Sequence, residues 1–172
     1  MTATATAQVI ARAGARAQDD PDFAEVLAAL VDTPTAGAGE YAHLAAGELG
    51  RHRRRAALAE FKAGALATSE VQDLLGLGTP QAVHRLRSRA RLIGLQLGNA
   101  TWFPTWQFGE GRLRPDLPRI LELLGRFTGD VVAADRVMRL IRPDLEDVSI
   151  AAALDRPELA PRAWVMLAEL GS

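Results

Sequence analysis

No cysteine occurs in the chain, which excludes disulfides, thiolate zinc sites and cysteine nucleophiles and is compatible with a reducing cytoplasm. Aromatic residues are scarce at 5%, leaving Ala, Leu, Val and Ile to build the core. Ala and Leu favour helix, so a mainly α protein is the expectation. No apolar run approaches the length of a membrane span, so no membrane partner is expected. The opening residues, MTATATAQVIARAGARA, lack the basic start and continuous apolar stretch of a signal peptide and read as a frayed tail or a weak helix. GxSxG, phosphate-loop and HExxH patterns are missing as well. His43, His52 and His84 lie far apart with no carboxylate at ligand spacing, so neither a metal nor a cofactor is expected. Glu146-Asp147 and Asp19-Asp20 read as turn or capping acids, so no catalytic residue is assigned and an enzyme is not expected.

What is there is a 172-residue chain, 48% hydrophobic and 24% charged, long enough for one or two small domains with a real core. The formal net charge of −1 hides an uneven distribution. Residues 1–47 hold two Arg against six acids, residues 48–96 nine Lys and Arg against four, and residues 97–172 nine Arg against eleven. A basic middle between acidic ends is expected where only the middle meets a polyanion. The alternative is a set of solvated, Arg-rich helices.

Three regions are expected: a flexible or weakly helical 1–39, a long helix with a compact module over 40–108, and a helical 109–172. Phe23, Val26, Leu27 and Leu30 mark a helix at 22–31. TPTAGAG at 33–39 is a flexible connection, followed by a helix over about 40–66 anchored by Tyr41, Leu44, Leu58, Phe61 and Leu66. GEGRLRPDLP at 109–118 reads as a loop or linker. Beyond it, 117–127, 130–141, 148–154 and 157–170 are helices split by Gly-Asp, Arg-Pro-Asp and Asp-Arg-Pro, with Pro143, Pro157 and Pro161 suited to first turns. Val131, Val132, Val137, Met138 and Ile141 form a stripe wide enough for core or for a dimer face.

The segment 68–108 carries the functional argument. Ser69 can cap a short helix, with Gln72 at the capping-box position and Val71, Leu74 and Leu75 as its apolar face. After Gly76 and Gly78, Thr79-Pro80 opens a second helix over 80–91. Two short helices joined by a Gly-containing turn make a helix-turn-helix. On the second helix Val83, Leu86 and Ala90 face inward towards Leu74 and Leu75. Gln81, His84 and Arg85 are assigned to base edges, and Thr79, Ser88, Arg89 and Arg91 to phosphates, because the N-terminal half of such a helix points at the bases. Strands at 92–97 and 100–103 flank a Gly98-Asn99 turn and form a small β-hairpin wing, with Asn99 a contact at its tip. Trp106-Gln107-Phe108 then folds back onto the core. RHRRR adds Arg51, Arg54 and Arg55 as phosphate contacts beside Arg53 and His52; its alternative is a solvated face paired with Glu48 and Glu60. Trp102, Trp106 and Trp164 read as core residues in preference to base-stacking ones.

TSEVQDLLGLGTPQAVHRLRSRARLIGLQLGNATWFPTWQF resembles the winged helix-turn-helix modules of the MerR/excisionase type found in bacterial DNA-binding proteins, over about 41 of 172 residues. The resemblance implies that the second helix enters the major groove and the wing touches the backbone or minor groove. Related sequences often carry a basic residue in the hairpin turn, where this chain has Gly98-Asn99-Ala100. WQFGEGRLRPDLPRILELL with the following helices is similar to the C-terminal halves of Xre/MbcA/ParS-type antitoxins, which implies a toxin protein as partner. The expected function is sequence-specific binding of double-stranded DNA by a cytoplasmic, nucleoid-associated transcriptional regulator. A homodimer is expected, because one short helix reads only a few base pairs. The alternatives are an antitoxin that binds its toxin through the C-terminal helices, and an architectural or segregation protein.

Overall fold

The computed structural model describes residues 3–32 and 38–170, with side-chain surroundings given from residue 7 and, after the gap, from residue 46. It is mainly helical with small antiparallel sheets and divides into two compact units, residues 1–57 and 58–172. Among the described residues no helix is long and apolar enough to cross a membrane.

The first unit holds α1 (Ala3–Asp19), α2 (Pro21–Val31) and most of α3 (Ala38–Ala63). Of the two expectations for the N-terminus, helix is the one observed: α1 runs for 17 residues through Ala-rich sequence and ends with Arg16 3.6 Å from Asp20. Asp20 also starts α2, its carboxylate accepting the Phe23 N–H at 3.0 Å ahead of Pro21. The connection expected at 33–39 falls largely outside the described residues, as do the side chains of Tyr41, His43 and Leu44.

In the second unit α3 stops at Ala63, short of the expected Leu66, its last turn tightening as the Gly64 N–H is shared between the Glu60 and Phe61 carbonyls. The next residues form β1 (Ala65–Ala67), and α4 (Thr68–Leu74) follows at once. Its cap differs from the expected Ser69–Gln72 box: the Glu70 carboxylate accepts the Ala67 N–H at 2.6 Å. Next come α5 (Pro80–Ser88), β2 (Leu95–Leu97) and β3 (Ala100–Pro104). β3 is the centre of a three-stranded antiparallel sheet, pairing Leu66 with Phe103 on one side and Leu97 with Ala100 on the other. The β2–β3 turn is the expected Gly98-Asn99, with Gly98 at φ +60 as the first central residue of a tight hairpin requires.

A 3-10 turn (Thr105–Gln107) leads into β4 (Phe108–Gly109) and β5 (Arg112–Leu113), a small hairpin where a linker was expected. The chain continues with α6 (Leu117–Phe127), α7 (Val131–Arg139), β6 (Ile141–Arg142), a 3-10 turn (Pro143–Leu145), β7 (Val148–Ser149), α8 (Ile150–Leu154) and α9 (Ala160–Glu169). The four expected helices are present, α6 with the bounds expected and the other three shorter, with Asp130 capping α7 and Ser149 capping α8. Pro161 sits in the first turn of α9, whereas Pro157 lies in the turn before it. Glu146 and Asp147 both adopt positive φ in the β6–β7 connection, a turn role for that acidic pair.

Two apolar clusters organise this unit. One is built on Ile120, Met138, Leu145, Leu159 and Leu167 of the C-terminal helices and turns. The other is Val71, Val83, Leu92 and Phe103. Leu113 packs against both.

Candidate nucleic-acid interface

The surface of α5 follows from its spacing. Val83 is fully buried and Leu86 half-buried against Val71 and Phe103, which turns Gln81, His84, Arg85 and Ser88 outward on one exposed face. Of the two leucines expected to pack beneath α5, Leu75 does so, joined by Leu77, whereas Leu74 is 37% exposed. Thr79 adopts extended backbone at the N-cap, but its exposed hydroxyl makes no capping hydrogen bond. Ser88 donates its hydroxyl to the Arg85 carbonyl at 3.1 Å.

The expected helix through Arg91 ends three residues earlier. The Ala90 N–H bonds the Arg87 carbonyl and the Arg91 N–H bonds the Leu86 carbonyl, with Ala90 left-handed at φ 52. This is a Schellman closure. It takes Ala90 off the inward stripe and leaves it exposed. It also takes Arg89 and Arg91 off the helical repeat that the sequence pattern presumed. Both are exposed, as is Arg87, which the sequence assignment omitted. Among the described residues, Arg85, Arg87, Arg89 and Arg91 form no ion pair. The alternation R-x-R-x-R-x-R from 85 to 91 is the signal that would have included Arg87.

Behind this surface Gln107 acts as a latch. Its fully buried carboxamide accepts the Ile93 N–H at 2.8 Å and donates to the Ile93 carbonyl at 2.8 Å and to the Pro104 carbonyl at 3.3 Å. The segment between α5 and β2 is thereby fixed to the chain that follows β3. Asn99 at the hairpin tip is exposed and its turn uncharged. The Lys62 ammonium lies 4.7 Å from the Trp102 ring centroid, a cation on the sheet that sequence reasoning did not assign.

The other tryptophans are held within the fold. Trp106 is buried and donates its indole N–H to Asp135 Oδ1 at 3.0 Å, while the Arg119 guanidinium lies 4.5 Å over Trp164. Burial holds the Asp135 carboxyl above its ordinary range, outweighing the Arg139 charge and the Trp106 hydrogen bond. Buried Arg114 ties β5 to the helices, bonding Asp116 at 2.9 and 3.0 Å and Asp155 at 2.8 Å.

Arg51, Arg54 and Arg55 belong to the first unit. Arg51 pairs with Glu48 and lowers that carboxyl through a direct hydrogen bond. Arg55 lies 3.6 Å from Glu25 of α2, not against Glu60. His52 is held between Glu25 at 2.9 Å and Asp22 at 3.6 Å, each ring nitrogen facing a different carboxylate. Arg53 and Arg54 are exposed and form no ion pair among the described residues. Compared with known protein families, curated proteins and solved structures, the chain matches none.

Proposed function

We propose that the protein is a sequence-specific double-stranded DNA-binding protein, a transcriptional regulator, in which α4, the intervening turn and α5 act as a helix-turn-helix and β2–β3 as its wing. The observation that carries this reading is the division of α5 into a packed side and an outward face of Gln81, His84, Arg85 and Ser88, continued by arginines with no acidic neighbour paired to them among the described residues. Paired arginines would already have spent their charge within the fold; these four keep theirs for an outside anion. Gln81 suits the N6/N7 edge of adenine and Arg85 the O6/N7 edge of guanine, with His84 between them. Thr79, Arg87, Arg89 and Arg91 serve phosphates, and each cation engaged steepens the salt dependence of binding. The uncharged tip at Gly98-Asn99 offers the backbone amides and the Asn99 carboxamide.

The test begins with selection of bound sites from random DNA, followed by titration of Arg85→Ala/Arg89→Ala on the selected site. Affinity falls about a hundredfold, while the melting temperature stays within about 2 °C because both side chains are exposed. Unchanged affinity, or recovery of no preferred site, rejects the reading.

A further inference from the structure

Where α6 gives way to α7, against the segment that follows α5, the second unit holds a recess of about 210 Å³. Ile93, Leu121, Leu124, Val131 and Ala134 give it an apolar wall, with Leu124 and Ala134 buried in the C-terminal cluster. Half-buried Thr128 and exposed Asp130 complete the lining with oxygen. Thr128 Oγ1 accepts the Asp130 N–H at 3.0 Å, and Asp130 Oδ1 accepts the Val132 N–H at 2.8 Å. Two glycines, Gly125 and Gly129, also line the recess. Neither has a left-handed backbone, and a Cβ on either would meet no atom within 4 Å. Elsewhere in the unit crowding explains a glycine: a Cβ at Gly64 or Gly94 would strike Arg139 or Phe103. Gly125 is the one glycine inside a helix of this unit among the described residues, where only proline is less favoured. Neither backbone nor packing accounts for it. An occupant of the recess does, because glycine permits the closest approach.

We propose that the recess is a binding site for a compact aromatic molecule carrying one hydrogen-bond donor, and that its occupant braces the end of α5. A cavity of roughly 150 Å³ with apolar walls holds benzene, so this one suits a ring system of about nine non-hydrogen atoms. The Asp130 carboxylate takes the donor and repels carboxylate or phosphate ligands. Ile93 carries the effect. Its side chain packs with the C-terminal cluster and lines the recess, while its backbone N–H and carbonyl are both held by Gln107. The residue before it, Leu92, is buried beneath α5, and the Arg91 N–H closes α5 on the Leu86 carbonyl. A ring set against Ile93 therefore holds the segment 91–93, and with it the closure of α5, in place.

Indole, with its single ring N–H, is the probe, titrated into the full chain without DNA and followed by methyl and amide NMR. Saturable shifts at Ile93, Leu121 and Val131 give a dissociation constant of about 0.1–1 mM, the range for an apolar ligand of this size. At about ten times that concentration the Ile93 and Arg91 amides exchange about fivefold more slowly, because binding suppresses the opened state. Gly125→Leu fills the recess and weakens binding at least about tenfold, whereas Gly125→Ala keeps it within about threefold. Both variants raise the melting temperature, since leucine and alanine favour helix more than glycine does, so lost binding is not lost folding. Shifts that do not saturate below about 5 mM overturn the site. So does binding that Gly125→Leu leaves intact. Binding without slower exchange at Ile93 and Arg91 overturns the bracing. DNA takes no part in these measurements, so they decide this proposal whether or not α5 reads DNA.

Discussion

Under α5 the buried centre consists of Val71, Val83, Leu92 and Phe103, whereas the C-terminal helices enclose fourteen buried residues. The smaller cluster supports the surface with the unpaired arginines; the larger supports one whose charges are mostly engaged, as in Arg114 with Asp116 and Asp155. A short helix with one cationic face has little apolar area left to bury, so hydrophobic packing alone holds it weakly. The difference is made up by directed hydrogen bonds: the Gln107 carboxamide on Ile93, the Glu70 carboxylate on Ala67, and closures at the ends of both α4 and α5. The region that faces outward is specified by polar latches, and the region behind it by volume.

The sharpest way to break this comparison is to empty each core in turn. Phe103→Ala and Met138→Ala both remove fully buried side chains, costing about 3–5 and about 2–5 kcal/mol respectively in denaturant unfolding. Amide exchange separates them: Phe103→Ala accelerates exchange in α5 more than in α6 and α9, and Met138→Ala does the reverse. Equal acceleration everywhere means that Leu113, which touches both clusters, welds them into one cooperative body. Next in size is Gln107→Leu. It strands the Ile93 N–H and carbonyl away from water and costs about 2–3 kcal/mol. It also weakens DNA binding with the arginines intact, a loss that titration against the selected site measures.

How far the sequence foretold these elements depended on which force decides each one. The C-terminal helices were legible because Leu117, Ile120, Leu123 and Leu124 repeat at helical spacing and bury together. The Gly98-Asn99 hairpin was legible because its turn chemistry is local. β1 was not, since Ala-Leu-Ala favours helix and becomes a strand only because Leu66 finds Phe103 across the sheet. The β4–β5 hairpin was missed because Glu110 holds φ 53, a conformation its residue type does not advertise. On α5 the outward face could be read from period alone, but the positions of Arg89 and Arg91 could not, because they depend on the left-handed Ala90. That Trp106-Gln107-Phe108 returns to the core was legible, but the latch was not: nothing in the sequence marks Ile93 and Pro104 as the partners of the Gln107 carboxamide.

Asp135 gives the comparison a pH axis. Its folded carboxyl titrates above the unfolded value of 3.8, so the folded state holds its proton more tightly than the unfolded chain does. The charged form therefore costs stability: the cost is absent below 3.8, grows as pH rises from there, and is complete only above the raised value. Asp135→Asn keeps an acceptor for the Trp106 indole and removes the charge. Its unfolding free energy exceeds that of the wild type by an amount that increases from pH 3.8 upward and then levels off. A difference that is flat with pH, or that shrinks as pH rises, would show that the ion pair with Arg139 at 3.5 Å outweighs burial.

The smallest effect tests the latches most directly, because the structure contains its own control. α4 and α5 end in the same way: the Gly76 and Leu77 N–H groups close onto the Asp73 and Gln72 carbonyls as Ala90 and Arg91 close onto Arg87 and Leu86. The left-handed residue is glycine in the first, at φ 61, and alanine in the second, at φ 52. An alanine there sets its Cβ against the following carbonyl, a cost that glycine avoids. Ala90→Gly therefore stabilises the protein by about 0.5–1 kcal/mol even though glycine lowers the unfolded state through its greater freedom. The reciprocal Gly76→Ala costs about the same. If Ala90→Gly also leaves affinity for the selected site unchanged, the turn serves only to end the helix. Tighter binding would instead mean that the strain at Ala90 holds Arg89 and Arg91 away from their preferred positions until DNA is bound.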